Sequence, residues 1–200
     1  MVYIIHISGA SGSGKTTIGN KLKKKLGNKV IVKDLDDLLF EFVMMKEKLK
    51  QRTSTILKNW KNDYQKYIDE FIEKTKKPII FVGLNTDLGS LGFRNKKLKP
   101  PKAFYNIYSD YNFYIDLPIN QILQQKFFRQ TMKICNDKEK WFEKWLQNPT
   151  KTQSKLDYDI NLILWEKEIK KWNKLYKTKK YKFKKPDNIY NMIIKLFQKI

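Results

Sequence analysis

Apolar and polar residues follow one another along this chain in blocks that predict short buried strands separated by helices. Runs of strand length that are almost wholly apolar are expected of strands covered on both faces. The predicted strands lie at residues 2–7, 30–32, 78–83, 113–115 and 181–183. Apolar residues with helical spacing occupy the intervening stretches. The predicted helices lie at residues 16–26, 38–76 with a break near 51–54, 118–134, 157–177 and 188–199.

Strands that alternate with helices predict an α/β fold with a parallel, doubly wound sheet. In such sheets, ligands gather at the carboxyl ends of the strands. Three segments of this chain follow strands one, two and three: a glycine-rich loop, an acidic cluster, and an irregular region over residues 84–111. No internal repeat or linker divides the chain, so we expect a single domain over residues 1–200.

The segment from Gly9 to Thr16, Gly-Ala-Ser-Gly-Ser-Gly-Lys-Thr, matches the phosphate-loop pattern between an apolar strand and an amphipathic helix. Its glycines let the backbone wrap an anion, and the amides of residues 12–16 can point at phosphates. Lys15 is expected to reach the β- and γ-phosphates, and the Thr16 hydroxyl to bind Mg²⁺. The residues predicted to contact a nucleotide are Gly9, Ser11, Gly12, Ser13, Gly14, Lys15, Thr16 and Thr17.

Three aspartates, Asp34, Asp36 and Asp37, follow the second predicted strand. A carboxylate there would face the phosphate loop, where it could orient an acceptor hydroxyl, accept its proton or hold Mg²⁺. Asp36 is the first candidate for catalysis and substrate binding and Asp34 the second, and both are candidate metal ligands beside Thr16. Alternatively, Asp34 or Asp36 only caps the next helix. Asp37 fits a first-turn residue that complements the helix dipole.

Arginine is rare in this lysine-rich chain and occurs only at Arg52, Arg94 and Arg129. Its planar fork binds phosphate and carboxylate groups through two hydrogen bonds, which lysine cannot do. Arg129, on the helix after strand four, could stabilise charge on a transferring phosphoryl group. Arg52 and Arg94 could hold an acceptor or its phosphate, although each could equally be an ordinary surface arginine. His6, in mid-strand, fits a buried histidine with satisfied hydrogen bonds better than a catalyst.

The net charge of +22 would suit nucleic acid, a membrane surface or a polyphosphate as partner. Because the lysines are spread over the whole length, solvated helix faces are the preferred interpretation, and nucleic acid is possible but not favoured. Cys135 is the only cysteine, which leaves no intrachain disulfide or cysteine metal cluster. The start of the chain lacks the basic segment of a signal peptide, and no run could span a bilayer. We expect a soluble cytoplasmic protein.

The phosphate loop, the Asp-x-Asp at Asp34 and Asp36, and the segment Tyr114-Ile115-Asp116-Leu117-Pro118 together resemble the P-loop kinases of small molecules. That group includes nucleoside, nucleotide, shikimate and gluconate kinases, and the loop is especially similar to uridine-kinase-like and adenylate-kinase-like members. The resemblance implies a P-loop NTPase fold: a five-stranded parallel sheet of order 2-3-1-4-5, flanked by helices. It also implies a helical lid at about residues 130–155, with ATP and Mg²⁺ as cofactors.

The chain departs from that group in two places. Its expected lid offers Arg129 and several lysines where nucleotide kinases carry several arginines, and those lysines are Lys126, Lys133, Lys138 and Lys140. Strand three ends in Gly83-Leu84-Asn85, without the acidic residue that many members place there.

Taken together, these features favour an ATP- and Mg²⁺-dependent kinase that phosphorylates a small acceptor, with a nucleoside or nucleotide as the leading candidate. A polynucleotide 5′-hydroxyl kinase and a nucleotide-gated regulatory protein are the alternatives, and the choice between ATP and GTP stays open.

Overall fold

A computed structural model describes residues 3–48, 53–85, 107–131 and 155–198 of the chain. Within these ranges, the strands and helices follow one another in the predicted order. The strands are β1 (Ile4–Ser8), β2 (Ile31–Asp34), β3 (Ile79–Val82), β4 (Tyr111–Ile115) and β5 (Lys182–Lys184). The α-helices are α1 (Lys15–Leu26), α2 (Leu35–Lys48), α3 (Thr53–Lys74), α4 (Ile119–Thr131), α5 (Lys155–Thr178) and α6 (Pro186–Gln198).

All five strands are parallel and lie side by side in the order β2-β3-β1-β4-β5. This order confirms the predicted sheet. Strand β1 lies at the centre, where His6 pairs in register with Phe81 on one side and with Asn112 on the other. The loop that follows β1 therefore emerges from the middle of the carboxyl edge of the sheet.

Some element bounds differ from the prediction by a few residues. Helix α2 begins at Leu35 instead of Leu38, because the Asp34 carboxylate accepts a backbone hydrogen bond at its first turn. Strand β4 begins at Tyr111 instead of Phe113, since its first residues pair with β1. The predicted break near residues 51–54 stays a prediction, because residues 49–52, between Lys48 of α2 and Thr53 of α3, lie outside the described residues.

Helices cover both faces of the sheet. On one face, Ile5 and Ile7 of β1 are buried in an apolar cluster with residues of α1 and α6. On the other face, Phe81 of β3 packs with buried residues of α2 and α3. Helix α5 covers the part of that face nearest β5, where Tyr176 packs against Tyr114. Burial on both faces explains why the central strands are continuous apolar runs.

In the part of the chain that the structure describes, no helix is both long and apolar enough to cross a membrane. The lid expected at about residues 130–155 falls almost wholly on residues 132–154, which lie outside the described residues. The lid and the single-domain assignment therefore stay predictions.

Candidate functional site

The loop after β1 turns sharply at two glycines. Gly12 and Gly14 have φ angles of +89° and +87°, a left-handed conformation that residues with a Cβ adopt only with strain. The Ser13 N–H donates to the Ala10 carbonyl oxygen at 3.0 Å, which closes the turn, and α1 begins at Lys15. The first amides of α1 therefore lie at the carboxyl edge of the sheet, where the N-terminus of a helix favours an anion.

The Lys15 side chain folds back over this loop. Its Nζ atom donates to the carbonyl oxygens of Gly9 and Ala10, each at 2.9 Å. A positive charge is thus held beside the amides of the same turn. The glycine and lysine spacing is local in sequence, which explains why the sequence alone predicts this part of the site.

Asp34, the last residue of β2, contacts the start of α1. The Thr16 hydroxyl donates to Asp34 Oδ2 at 3.2 Å, and Asp34 Oδ1 accepts the Asp36 N–H at 3.0 Å. One carboxylate therefore caps α2 and also contacts the phosphate loop, so the capping and functional interpretations are compatible for this residue. Asp36 and Asp37 are exposed on the first turn of α2.

A glycine after β3 allows this arrangement. Gly83 has a φ of +139°, and a Cβ there would lie 2.8 Å from Leu35 Cβ. Because only a glycine fits so close to Leu35, β3 can end directly beside the junction between β2 and α2. That junction carries Asp34, so Gly83 supports the position of the acidic cluster.

A cleft of about 380 Å³ opens over the phosphate loop, between α1 and α4. It is lined by Gly12, Gly14, Lys15, Thr16, Thr17, Asn20 and Gln125. A hollow of about 270 Å³ adjoins it, since Gly14, Thr17 and Gln125 line both. The other residues of the hollow come from the phosphate loop and α1, from α4 and the segment before it, and from α6: Ser13, Ile18, Lys21, Leu117, Gln121, Pro186, Asp187 and Tyr190. No sequence motif marks Asn20, Gln125 or Tyr190, because folding alone brings α4 and α6 beside α1.

Below the phosphate loop, His6 is fully buried and has partners at both ring nitrogens. Its Nε2 lies 3.0 Å from the Gly83 carbonyl oxygen, and its Nδ1 lies 2.6 Å from the Tyr181 hydroxyl. Because a carbonyl only accepts, we assign the proton to Nε2, and Tyr181 donates to Nδ1. Burial lowers the pKa of His6 to about 4, so the ring is neutral at physiological pH. The predicted buried histidine with satisfied hydrogen bonds is confirmed.

A second buried contact joins the end of β3 to α5. The Tyr176 hydroxyl donates to Asn85 Oδ1 at 2.6 Å, and the Asn85 N–H donates to the Tyr176 oxygen at 3.2 Å. Burial raises the pKa of Tyr176 to about 12, which keeps the hydroxyl protonated as a donor. Asn85 is thus bound to α5 through both its backbone N–H and its side-chain oxygen.

The three arginines stay predictions. Arg129 lies on α4, the helix that borders the cleft, but its side chain lies outside the described residues. Arg52 and Arg94 fall wholly outside them.

The oxygen donors that meet at this edge suit a magnesium ion. Magnesium takes oxygen ligands and is usually held by one or two carboxylates together with phosphates and water. The Thr16 hydroxyl and the Asp34 carboxylate provide such oxygens beside the phosphate loop. The histidine, cysteine, aspartate and glutamate side chains of the described residues form no group of three or more that could hold a metal by itself. A magnesium ion here would therefore also need ligands from phosphate and water.

The parallel sheet of order 2-3-1-4-5 and the glycine-rich loop between β1 and α1 define the P-loop NTPase fold. No family model and no curated protein matches the chain. Among solved structures, the chain is similar to thymidylate kinase from Ehrlichia chaffeensis, with 18% identity and a TM-score of 0.36 over 66% of this chain and 87% of that one. The fold assignment rests on the chain's own sheet order and loop.

Proposed function

We propose that this protein is a P-loop kinase that transfers the γ-phosphoryl group of ATP, with Mg²⁺, to the hydroxyl or phosphate of a small acceptor. A nucleoside or nucleotide is the acceptor that we propose. The observation that carries the proposal is the 3.2 Å contact between Thr16 and Asp34. It brings an acidic side chain to the start of the helix whose amides and lysine form the phosphate loop.

At the donor end, the amides of residues 12–16 and Lys15 would bind the β- and γ-phosphates. Thr16 and Asp34 would hold the Mg²⁺ ion, which neutralises phosphate charge when it is bound. The hollow between α4 and α6 shares lining residues with the phosphate cleft. It is therefore close enough to the phosphate loop to receive the nucleoside part of the donor.

At the acceptor end, Asp36 would orient the acceptor hydroxyl and take its proton. The acceptor oxygen bonds to the γ-phosphorus while the bond from that phosphorus to the β–γ bridging oxygen breaks, and ADP leaves. A phosphate acceptor needs no such proton transfer. Arg129 would stabilise the charge on the transferring group, and Arg52 and Arg94 would bind the acceptor. Catalysis of this kind depends on positioning and on charge neutralisation.

A coupled assay of ADP release tests the proposal, using a panel of nucleosides, nucleotides and sugars and an oligonucleotide with a free 5′-hydroxyl. We expect a nucleoside or nucleotide to stimulate ADP release. Lys15→Met should lower kcat/KM by about 100-fold or more, because it removes a charge that stabilises the transition state. Lys24→Met removes an exposed lysine near the other end of α1 and should leave the activity unchanged.

Two results would contradict this proposal. Stimulation by the oligonucleotide alone would indicate a polynucleotide 5′-hydroxyl kinase. Binding of ATP with no stimulation by any acceptor, and no effect of Lys15→Met on turnover, would indicate a nucleotide-binding protein that is not a kinase.

A further inference from the structure

Helices α4 and α5 pack against the phosphate loop. A Cβ on Gly12 would lie 3.1 Å from Lys126 Cβ and 3.2 Å from the Ile122 carbonyl oxygen, so the backbone of α4 lies close against the loop. Ala10 of the same loop is fully buried and packs with Ile122 of α4 and Ile169 of α5. The loop that would bind phosphates is therefore in contact with both helices.

The Lys126 side chain ties α4 to α5 at this point. Its Nζ atom lies 3.2 Å from Glu168 Oε2 and 4.7 Å from the centre of the Trp165 ring. The other oxygen of Glu168 lies 3.3 Å from Trp172 Nε1. The Lys126 side chain is only 13% exposed and that of Glu168 is 42% exposed. Partial burial reduces the screening by water, so this pair is stronger than a fully exposed one.

We propose that Lys126, held by Glu168 and Trp165, is a positioning residue for the phosphate loop. Gly12 has a positive φ, and because it has no Cβ its backbone is free to adopt many other conformations. Contacts with neighbouring residues must therefore hold it in this one. By keeping α4 against Gly12, Lys126 keeps the loop amides in the orientation that a phosphate requires. This proposal rests on the proposed function only in taking the loop as a phosphate site.

The competing interpretation is that Lys126 leaves Glu168 and binds the phosphates directly. The two interpretations predict opposite effects of Glu168→Gln. If Lys126 positions the loop, the loss of its partner loosens the loop and weakens phosphate binding. If Lys126 is a phosphate ligand, the loss of the competing carboxylate leaves binding unchanged or makes it tighter.

Hydrogen–deuterium exchange on the unliganded full-length protein tests the positioning role without any nucleotide. Lys126→Met should speed exchange in peptides covering residues 9–18 by about fivefold, because local opening becomes easier. Lys126→Arg keeps the charge and should stay close to the wild type. Lys170→Met is the matched control, because it removes an exposed ion pair with Glu166 on α5 and should leave the loop unchanged. Unchanged exchange in Lys126→Met overturns the proposal.

Titration calorimetry with tripolyphosphate supplies the second readout. Lys126→Met and Glu168→Gln should each raise the Kd by about fivefold, and the double variant should be no worse than Lys126→Met alone, since both changes remove the ion pair between Lys126 and Glu168. Tighter or unchanged binding by Glu168→Gln overturns the proposal. Glu168→Gln also breaks the pair from the α5 side, so the test does not depend on the stability of Lys126→Met.

The two proposals can fail separately. A wild-type protein that binds neither tripolyphosphate nor ATP contradicts the proposed function. In that case, the exchange experiment still decides whether Lys126 holds the loop.

Discussion

At the scale of single residues, Asp34 has contacts on both of its carboxylate oxygens. One oxygen accepts the N–H of Asp36 at the start of α2, and the other accepts the hydroxyl of Thr16. Capping needs only an oxygen acceptor, which asparagine supplies as well as aspartate. Binding of Mg²⁺ benefits from the negative charge as well, so a change that removes only the charge separates the two roles.

We therefore predict that Asp34→Asn folds with nearly wild-type stability, within about 1 kcal/mol, because an asparagine still caps α2. The Mg²⁺ concentration that gives half-maximal activity should rise by about 10-fold or more, as is usual when metal-site contacts are lost. Kinase assays over a range of Mg²⁺ concentrations measure this. Asp37→Asn is the control, since Asp37 is an exposed neighbour on the same turn. An unchanged Mg²⁺ requirement in Asp34→Asn would remove Asp34 from the proposed metal site.

At the scale of elements, the site depends on the close approach of β3 to the junction between β2 and α2. Gly83 is followed by Leu84 and Asn85, and Asn85 is bound by Tyr176 of α5. Leu35 lies against the position that a Gly83 side chain would occupy. One segment after β3 thus contacts α2 on one side and α5 on the other, and its backbone path affects the acidic cluster.

Gly83→Ala should lower the free energy of unfolding by about 3 kcal/mol. It combines an unfavourable φ with overpacking against Leu35, each of which costs on the order of 1–3 kcal/mol. Gly14→Ala is the matched control, because Gly14 also has a positive φ, +87°, in the left-handed helical region, but nothing lies within 4 Å of its added Cβ. Its expected loss is only about 1 kcal/mol. Urea denaturation of both variants measures the difference, and equal losses would show that the contact with Leu35 is unimportant.

At the scale of the whole molecule, buried hydrogen bonds connect the sheet to its helices just below the proposed site. His6 of β1 bonds to Gly83 after β3 and to Tyr181 before β5. Tyr176, near the end of α5, bonds to Asn85. These groups are enclosed by apolar clusters on the same face of the sheet. Buried polar groups stabilise a fold only while every hydrogen-bond partner is present. Protonation of His6 Nδ1 would remove its acceptor for the Tyr181 hydroxyl, so we expect it to lower the free energy of unfolding of the whole protein.

Burial of neutral His6 makes stability depend on pH. Its pKa is about 4 in the folded protein and 6.5 in an unfolded chain, so the unfolded state binds more protons between these values. The contribution of neutral His6 to the free energy of unfolding is complete above pH 6.5 and declines by about 3 kcal/mol as the pH falls to about 4. Because His6 is the only histidine, His6→Gln isolates the effect. Urea denaturation at several pH values should show a smaller loss for His6→Gln than for the wild type, and parallel curves would contradict this assignment.

Several features follow from local sequence and could be predicted from it. The spacing of Gly12, Gly14 and Lys15 is local in sequence, so the loop and the helix that follows it can be recognised without any knowledge of distant contacts. Apolar periodicity located all five strands to within a few residues. The order of the strands in the sheet was predicted from the resemblance to P-loop kinases, a group in which this loop occurs together with a sheet of that order.

Other features were decided by tertiary structure alone. The sequence offered both Asp34 and Asp36 as candidate metal ligands, but the contact of Asp34 with Thr16 depends on how β2 lies against α1, and no local pattern records that distance. Asn85 and Tyr176 are 91 residues apart along the chain, and only the packing of α5 on the sheet makes them partners. Lys126 resembles any other lysine in the sequence, and the positioning role that we propose for it depends on α4 lying against Gly12 with Glu168 beside it. Local periodicity and turn geometry thus determined the elements and the phosphate loop, while contacts between distant segments, which depend on packing, selected the residues that surround it.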